Sequence, residues 1–184
     1  FEMPEFCPSC GEKVYRTEGE AAVRCVNPNC KSRSLRNIIH FVSRDAMNID
    51  SLGESIVEQL IKEGLIKDCA DLYYLKKEDI AAMDKLGEKS SDNLIAAIEK
   101  SKKNDLSKLL YALGIRHIGL GAAKLIAARV KNIDALFDIT EEELTDIDDV
   151  GSIMAKSVID YFSQEHVRDM IERMKAAGVN TVYT

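Results

Sequence analysis

Cys7, Cys10, Cys25 and Cys30 fall at C-x2-C-x14-C-x4-C. That is the spacing of a tetrahedral zinc site in which two tight loops each donate two sulfurs. Thiolates suit zinc at about 2.3 Å, and four of them leave no coordination position open, so the expected metal is structural and not catalytic. In "CPSCG", Pro8 stiffens the loop and Gly11 permits the turn that brings backbone N–H groups to the sulfurs. "CVNPNC" is a wider loop, again of turn residues. Two disulfides are the alternative, and a chain without secretory features argues against them. Between the pairs, "KVYR" and "AAVRC" alternate as two short strands. So small a head buries too little to fold alone, and the metal is expected to supply much of its folding energy. The odd cysteine, Cys69 in the apolar "DCADLYYL", reads as a buried free thiol.

A second chemistry recurs along the chain. "IDSLGESIVEQLI", "MDKLGEKSSDNLI", "IRHIGLGAAKLIA" and "IDDVGSIMAKSVI" each open on an apolar residue, followed three positions on by another and then a glycine. The shared glycines are Gly53, Gly87, Gly119 and Gly151, spaced by 34, 32 and 32 residues. A helix candidate lies upstream of each ("LRNIIHFVSRDA", "KEDIAAM", "LSKLLYAL", "EEELTDI") and an apolar helix downstream. The unit is helix, hairpin, helix, four times over, and such units must stack to bury their apolar faces. Each is a candidate anion site. The glycine is expected to take a turn with φ > 0 and leaves no side chain in the way. The following helix begins with unpaired N–H groups and a positive dipole end, where a phosphate oxygen fits. Met83 and Leu86 would plug the second hairpin into the core while Lys89 or Ser90 adds a side-chain contact. Binding of this kind reads the backbone and not the bases.

Composition and charge frame these sites. The 184 residues are 46% apolar and 6% aromatic, with no Trp and three prolines, which favours helices. The net charge of −6 is segregated. Arg24, Lys31, Arg33, Arg36 and Arg44 form a span free of acids. Lys100 to Lys131 holds eight bases against Asp105 alone, and Asp134 to Asp149 holds eight acids and no base. The local field decides binding, so this pattern predicts one DNA-facing surface and one outer face. His40 reads as a packing residue or a surface hydrogen bond, His166 as a surface residue, and His117 beside Arg116 as a phosphate contact. On charge alone, units two and three should carry most phosphate contacts, because Asp146, Asp148 and Asp149 precede Gly151. No apolar run is long enough for a membrane-spanning helix, and no signal segment opens the chain. Phe1 in place of Met suggests an excised piece.

The order of these motifs resembles a known family. "CPSCG" and "RCVNPNC" are followed by "IIHFVSRDAMNIDSLGE", "LGEKSSDNLIAAIEKSK", "LLYALGIRHIG" and "DDVGSIMAKSVIDYF". From about Met3 to about Asn180 this is similar to the C-terminal part of bacterial NAD-dependent DNA ligase. "HFVSRDAM" and "ALGIRHIG" are the specific stretches. "CKSRSLR" after the last cysteine is more basic than the family pattern leads one to expect. The resemblance implies a parent that seals nicks through a lysyl-AMP intermediate with NAD as adenylate donor. It implies a hairpin domain that grips the minor-groove side of duplex or nicked DNA. It also implies partner domains in the same parent, for adenylation and with an oligonucleotide-binding fold, and a place in the bacterial cytoplasm at the nucleoid. The adenylation motif K-x-D-G occurs nowhere in this chain, so no catalytic residue is assigned, NAD is not expected to bind here, and the chain should not ligate alone.

The expected fold is mainly α, with four tandem helix-hairpin-helix units preceded by a small four-cysteine zinc module with short β-strands. The expected boundaries are 1–31 for the zinc finger, 32–178 for the hairpin domain and 179–184 for an extended tail or linker. One zinc is assigned to Cys7, Cys10, Cys25 and Cys30. DNA contact is assigned to Gly53, Lys85, Gly87, Lys89, Ser90, Arg116, His117, Gly119, Gly121, Lys124, Gly151 and Lys156. A monomer is expected. The competing readings are a DNA-binding module of a nuclease or topoisomerase, and a protein-interaction helical domain. Salt-dependent DNA binding separates the last of these from the rest.

Overall fold

The computed structural model describes residues 4–8, 10–16, 23–25, 30–49, 52–83 and 87–183, and for 23–25 and 31–33 the backbone only. The chain opens on an antiparallel pair, β1 (Val14–Arg16) and β2 (Val23–Cys25), with Val14 opposite Cys25. Helix α1 (Lys31–Val42) begins directly after Cys30, which is its N-cap residue. Its apolar positions Leu35, Ile38, Ile39 and Val42 recur at helical spacing and give it one core-facing stripe.

The repeat folds as its pattern predicts. Helix α1 packs on α2 (Glu54–Lys62), α3 (Lys77–Ala81) on α4 (Glu88–Ser101), α5 (Leu106–Ala112) on α6 (Leu120–Val130), and α7 (Glu141–Thr145) on α8 (Ser152–Phe162). Each pair spans one of the four shared glycines. The pairs bury a common core that runs from Ile38 and Phe41 through Leu60, Leu94, Leu109 and Ile126 to Val158 and Phe162. Each such side chain contributes about 1.5–3 kcal/mol by leaving water. The hairpin plugs also lie in this core: Ile49 and Leu52, Met83, Ile115 and Ile118, and Val150 are buried, with Ile147 packed against them. Leu86 lies outside the described residues.

Two features go beyond the sequence reading. The segment after 178, expected as an extended tail or linker, is extended and lies against the protein. Val179 and Thr181 are buried, and the segment folds back on unit three. Ile133 N–H donates to the Thr181 carbonyl (3.0 Å), Tyr183 N–H to Lys131 (2.8 Å) and Asn180 N–H to Lys102 (2.8 Å). Lys131 Nζ lies 4.7 Å over the Tyr183 ring. The tail's alternating apolar residues find open backbone partners where α6 ends, which is why it docks.

The second feature is a long-range clasp. A ninth helix, α9 (Glu165–Ala176), packs on the 3₁₀ turn Cys69–Tyr74 that joins units one and two. Arg173 spreads its guanidinium over Asp71 (2.7 Å), Asp169 (3.0 Å) and Asp68. Tyr74 Oη donates to the Arg173 carbonyl at 2.8 Å. Asp68 and Asp71 also form a reciprocal capping box at the start of that turn. Cys69 sits beneath it, buried as expected, and burial, with Asp68 close by, pushes its thiol pKa up. His40 packs as expected too: its Nε2 lies 2.7 Å from the Tyr111 carbonyl and its ring meets the Tyr111 ring edge-on at 4.8 Å.

Candidate zinc centre and nucleic-acid interface

The first cysteine loop has the local geometry of a sulfur-holding turn. Gly11 N–H donates to the Cys7 carbonyl (2.8 Å) and Cys7 N–H to Glu12 (2.7 Å), with Gly11 at φ 78°. That left-handed conformation is the reason glycine stands there. The fold then carries Cys30 back to the same place at the head of α1. The sulfurs of Cys7, Cys10 and Cys30 all lie within 4.8 Å of one another, and Cys7 Sγ is 3.7 Å from Cys30 Sγ. A disulfide needs about 2.05 Å. A tetrahedron with metal–sulfur bonds of about 2.3 Å has edges of about 3.8 Å, so the spacing fits zinc. Cys25 is described in its backbone only, at the end of β2 opposite Val14, on the strand that follows the first loop. The cluster is a structural zinc site, and bound zinc would tie the loop at 7–10 to the start of α1.

The four hairpin glycines share one geometry, and it is not the expected one. Each is the N-cap of the following helix, with φ between −93° and −81° and ψ near 180°. This is ordinary extended backbone that any residue adopts, so the expected φ > 0 is corrected. In units three and four the left-handed residue lies two positions earlier, at His117 (φ 67°) and Asp149 (φ 69°). Short polar and imidazole side chains tolerate that region, and neither residue carries a sequence mark that singles it out. What the glycines do share is open space. A Cβ added at Gly53, Gly87, Gly119 or Gly151 would meet nothing within 4 Å. None of the four helices that follow has a side-chain cap. In each, the glycine carbonyl accepts the first helical bond, from Val57, Ser91, Ala123 and Ala155 at 2.9–3.0 Å. The N–H groups ahead of these face outward past a residue without a side chain, which is what an anion site requires.

Surroundings differ from hairpin to hairpin. Helices α2 and α4 begin with Glu54 and Glu88, whereas α6 and α8 have no acid in the first turn. A carboxylate at a helix start already answers its positive end. Glu88 is itself held by Lys77 (3.4 Å), which also grips Asp92 (2.8 Å). Lys89, Ser90, Lys124 and Lys156 are exposed, and among the described residues the three lysines make no ion pair. Lys85 lies outside the described residues. Gly121 is exposed on the first turn of α6. Of the acids before Gly151, Asp146 is drawn to Arg129 at 3.5 Å.

Arg116 and His117 of hairpin three and Ile153 and Lys156 of α8 line one concavity of about 700 Å³, whose other walls come from α1, the turn at 67–69 and α9. No helix among the described residues is long and apolar enough to cross a membrane.

Residues 6–31 match the family described as the NAD-dependent DNA ligase C4 zinc finger domain, and residues 108–171 match the helix-hairpin-helix motif family. The chain is 52% identical over 181 residues to a DNA ligase of Clostridioides difficile, covering 98% of this chain and 27% of that protein. It is 50% identical over 183 residues to one of Staphylococcus saprophyticus, covering 100% and 27%. A DNA ligase of Caldicellulosiruptor bescii is 54% identical over 182 residues, covering 99% and 27%. The chain thus spans about a quarter of the length of the curated relatives it matches. The second family match begins within α5 and ends within α9, so it encloses hairpins three and four.

Proposed function

We propose, for a chain that is the zinc-finger and helix-hairpin-helix portion of an NAD-dependent DNA ligase, that it grips duplex DNA by its phosphates. One observation carries this: four helix starts without side-chain caps, each fronted by a glycine with empty space where a Cβ would stand. Backbone N–H groups would take phosphate oxygens at Gly53, Gly87, Gly119, Gly121 and Gly151. Lys85, Lys89, Ser90, Arg116, His117, Lys124 and Lys156 would add side-chain contacts. Cys25 would complete the sulfur set of the zinc site. The zinc would supply structure to the head and nothing to the reaction.

Nick sealing and the NAD that drives it would belong to the adenylation and oligonucleotide-binding domains of the same parent, in the bacterial cytoplasm. Without a K-x-D-G lysine this chain would hold the duplex while those domains act on it. It would do so as a monomer. The test is equilibrium binding of a short nicked duplex and its intact counterpart between about 50 and 200 mM salt. Affinity that falls linearly on a log–log plot supports the reading. Binding that ignores salt, or no binding at the low-salt end, overturns it.

A further inference from the structure

One residue lining the concavity that Arg116, His117 and Lys156 share is apolar and yet exposed, and phosphate binding does not use it. Ile153 is 66% exposed, the largest exposure among the big apolar residues described. It is the second residue of α8, two past Gly151, and it faces the same concavity as Arg116, His117 and Lys156. The corresponding positions after the other three glycines are Ser55, Lys89 and Gly121, all exposed. Each hairpin therefore points this position at solvent, and three of the four fill it with a polar residue or with none. A branched aliphatic side chain there leaves apolar area in water for no gain to the fold, since the core beneath is closed by Val150, Ala155 and Val158.

We propose that Ile153 is an apolar contact to the deoxyribose walls of the minor groove, made when the amides behind Gly151 and the Lys156 ammonium hold the flanking phosphates. This rests on the DNA-binding reading above and deepens it. The chemistry of the concavity selects the occupant. Its cations Lys67, Arg116 and Lys156 suit a polyanion, its acids are Asp68 and Asp160, and Asp68 is already engaged by Arg173. A polyanion with apolar surface between its charges is what a sugar–phosphate strand offers. Sugar edges wall the minor groove, and proteins that bind there carry Ile, Leu or Met into it as apolar wedges between base steps. α6 and α8 carry no first-turn carboxylate, so a phosphate approaches these two hairpins without the repulsion that Glu54 and Glu88 set up at the other two. Charge counting along the sequence ranks unit four low, and the helix starts move it up.

An apolar contact and a phosphate contact leave different marks on salt dependence. Counterion release follows charges alone, so removing Lys156 flattens the log K against log salt slope by about 0.9, whereas removing Ile153 leaves the slope in place. The experiment measures binding of a fluorescent nicked duplex to the 184-residue chain by anisotropy at several salt concentrations. It compares native protein, Ile153→Ser, Ile153→Leu and Lys156→Ala. The expected result for Ile153→Ser is a loss of about tenfold at every salt with the native slope, in line with about half the area of an isoleucine leaving a contact. Ile153→Leu should restore most of it. Ile153 is exposed, so Ile153→Ser should keep the native melting temperature.

Native affinity in Ile153→Ser, or a loss that appears only as a flatter slope, overturns the proposal while the DNA reading stands. A change of oligomeric state in Ile153→Ser with DNA affinity intact overturns it in favour of a contact between copies. Absence of salt-dependent binding by the native chain overturns both.

Discussion

Placing alanine at the hairpin glycines separates folding from binding. At Gly151 the backbone is extended (φ −86°, ψ 177°) and an added Cβ meets nothing within 4 Å. Two effects on stability oppose each other there. Alanine lowers the entropy of the unfolded chain, a gain of about 0.4–1 kcal/mol where the native backbone accepts it. Alanine is also a poorer N-cap than glycine, a loss of about 0.5–1 kcal/mol. The two nearly cancel, leaving a net change within about 0.5 kcal/mol, or roughly 1–2 °C in Tm for a chain of this size. DNA binding should behave otherwise, because the new methyl stands in front of the N–H groups that would take a phosphate. Losing one contact flattens the salt slope by about 0.9. Gly119→Ala should act alike, and the double variant should flatten the slope by about twice as much. Gly178→Ala is the control, since at φ 95° alanine is strained; it should cost about 1–2 kcal/mol and leave the slope alone. Thermal melts and anisotropy titrations on the same samples read both quantities. A fall in Tm of roughly 5 °C or more for Gly151→Ala, well beyond the near-cancellation expected, would show that the glycine serves the turn. Unchanged DNA affinity in the double variant would refute the phosphate assignment at both hairpins.

Elemental analysis should find one zinc per chain, and Cys30→Ser should lose it together with order in the head, whereas full metal content in that variant would contradict the site. Incubation with labelled NAD should leave no adenylyl group on the chain, and a labelled band would overturn the assignment of adenylation to other domains. Arg173→Met should cost about 1–2 kcal/mol, because it breaks the fork over Asp68 and Asp71 and leaves those carboxylates adjacent; the accompanying drop in Tm should be roughly 2–4 °C per kcal/mol. The raised thiol pKa of Cys69 sets a sign for pH dependence. Its contribution is fully present below the unfolded thiol pKa of about 8.5 and is lost as pH rises beyond it, at up to about 1.4 kcal/mol per pH unit. Cys69→Ala should therefore flatten the fall in stability above about pH 9 in denaturant titrations, and an unaltered slope would show that the thiol ionises freely.

The repeat was legible because it is local. An apolar residue, another three on, and a glycine specify a plug and a helix start within five positions, and all four hairpins obey it. The cluster of Cys7, Cys10 and Cys30 was legible for the same reason, although the closeness of Cys7 and Cys30 across 23 residues needed the fold. The conformation of the glycines was not legible. Glycine suggests φ > 0, yet the left-handed angle falls on His117 and Asp149, residue types that tolerate it without announcing it. Nor was the clasp of α9, since Arg173 meets carboxylates 102 and 105 positions away and a single arginine on a helix surface has no periodicity to betray its partners. The docking of the tail was equally hidden. "VNTVYT" reads as extended, and only the free carbonyls and amides around Lys131 and Ile133 decide that it lies against the protein. The proposed weighting of the hairpins differs from the one charge suggests, because net charge along a segment ignores whether a carboxylate sits on a helix axis or on its flank.

Cys30 has two attachments. Its sulfur belongs to the cluster with Cys7 and Cys10, and its carbonyl accepts the N–H of Ser34 at 2.9 Å, the first rung of α1. Amide hydrogen exchange at Ser34 is therefore a gauge of the metal. With zinc in place, opening that rung requires moving a ligated residue, and exchange should be slow for a position so near a helix end. With the metal withdrawn, the rung is a terminal one and frays as others do. Since α1 lays Ile38 and Phe41 into the core shared by the hairpins, the lifetime of one amide proton reports how firmly the head is fastened to the body that would hold the duplex.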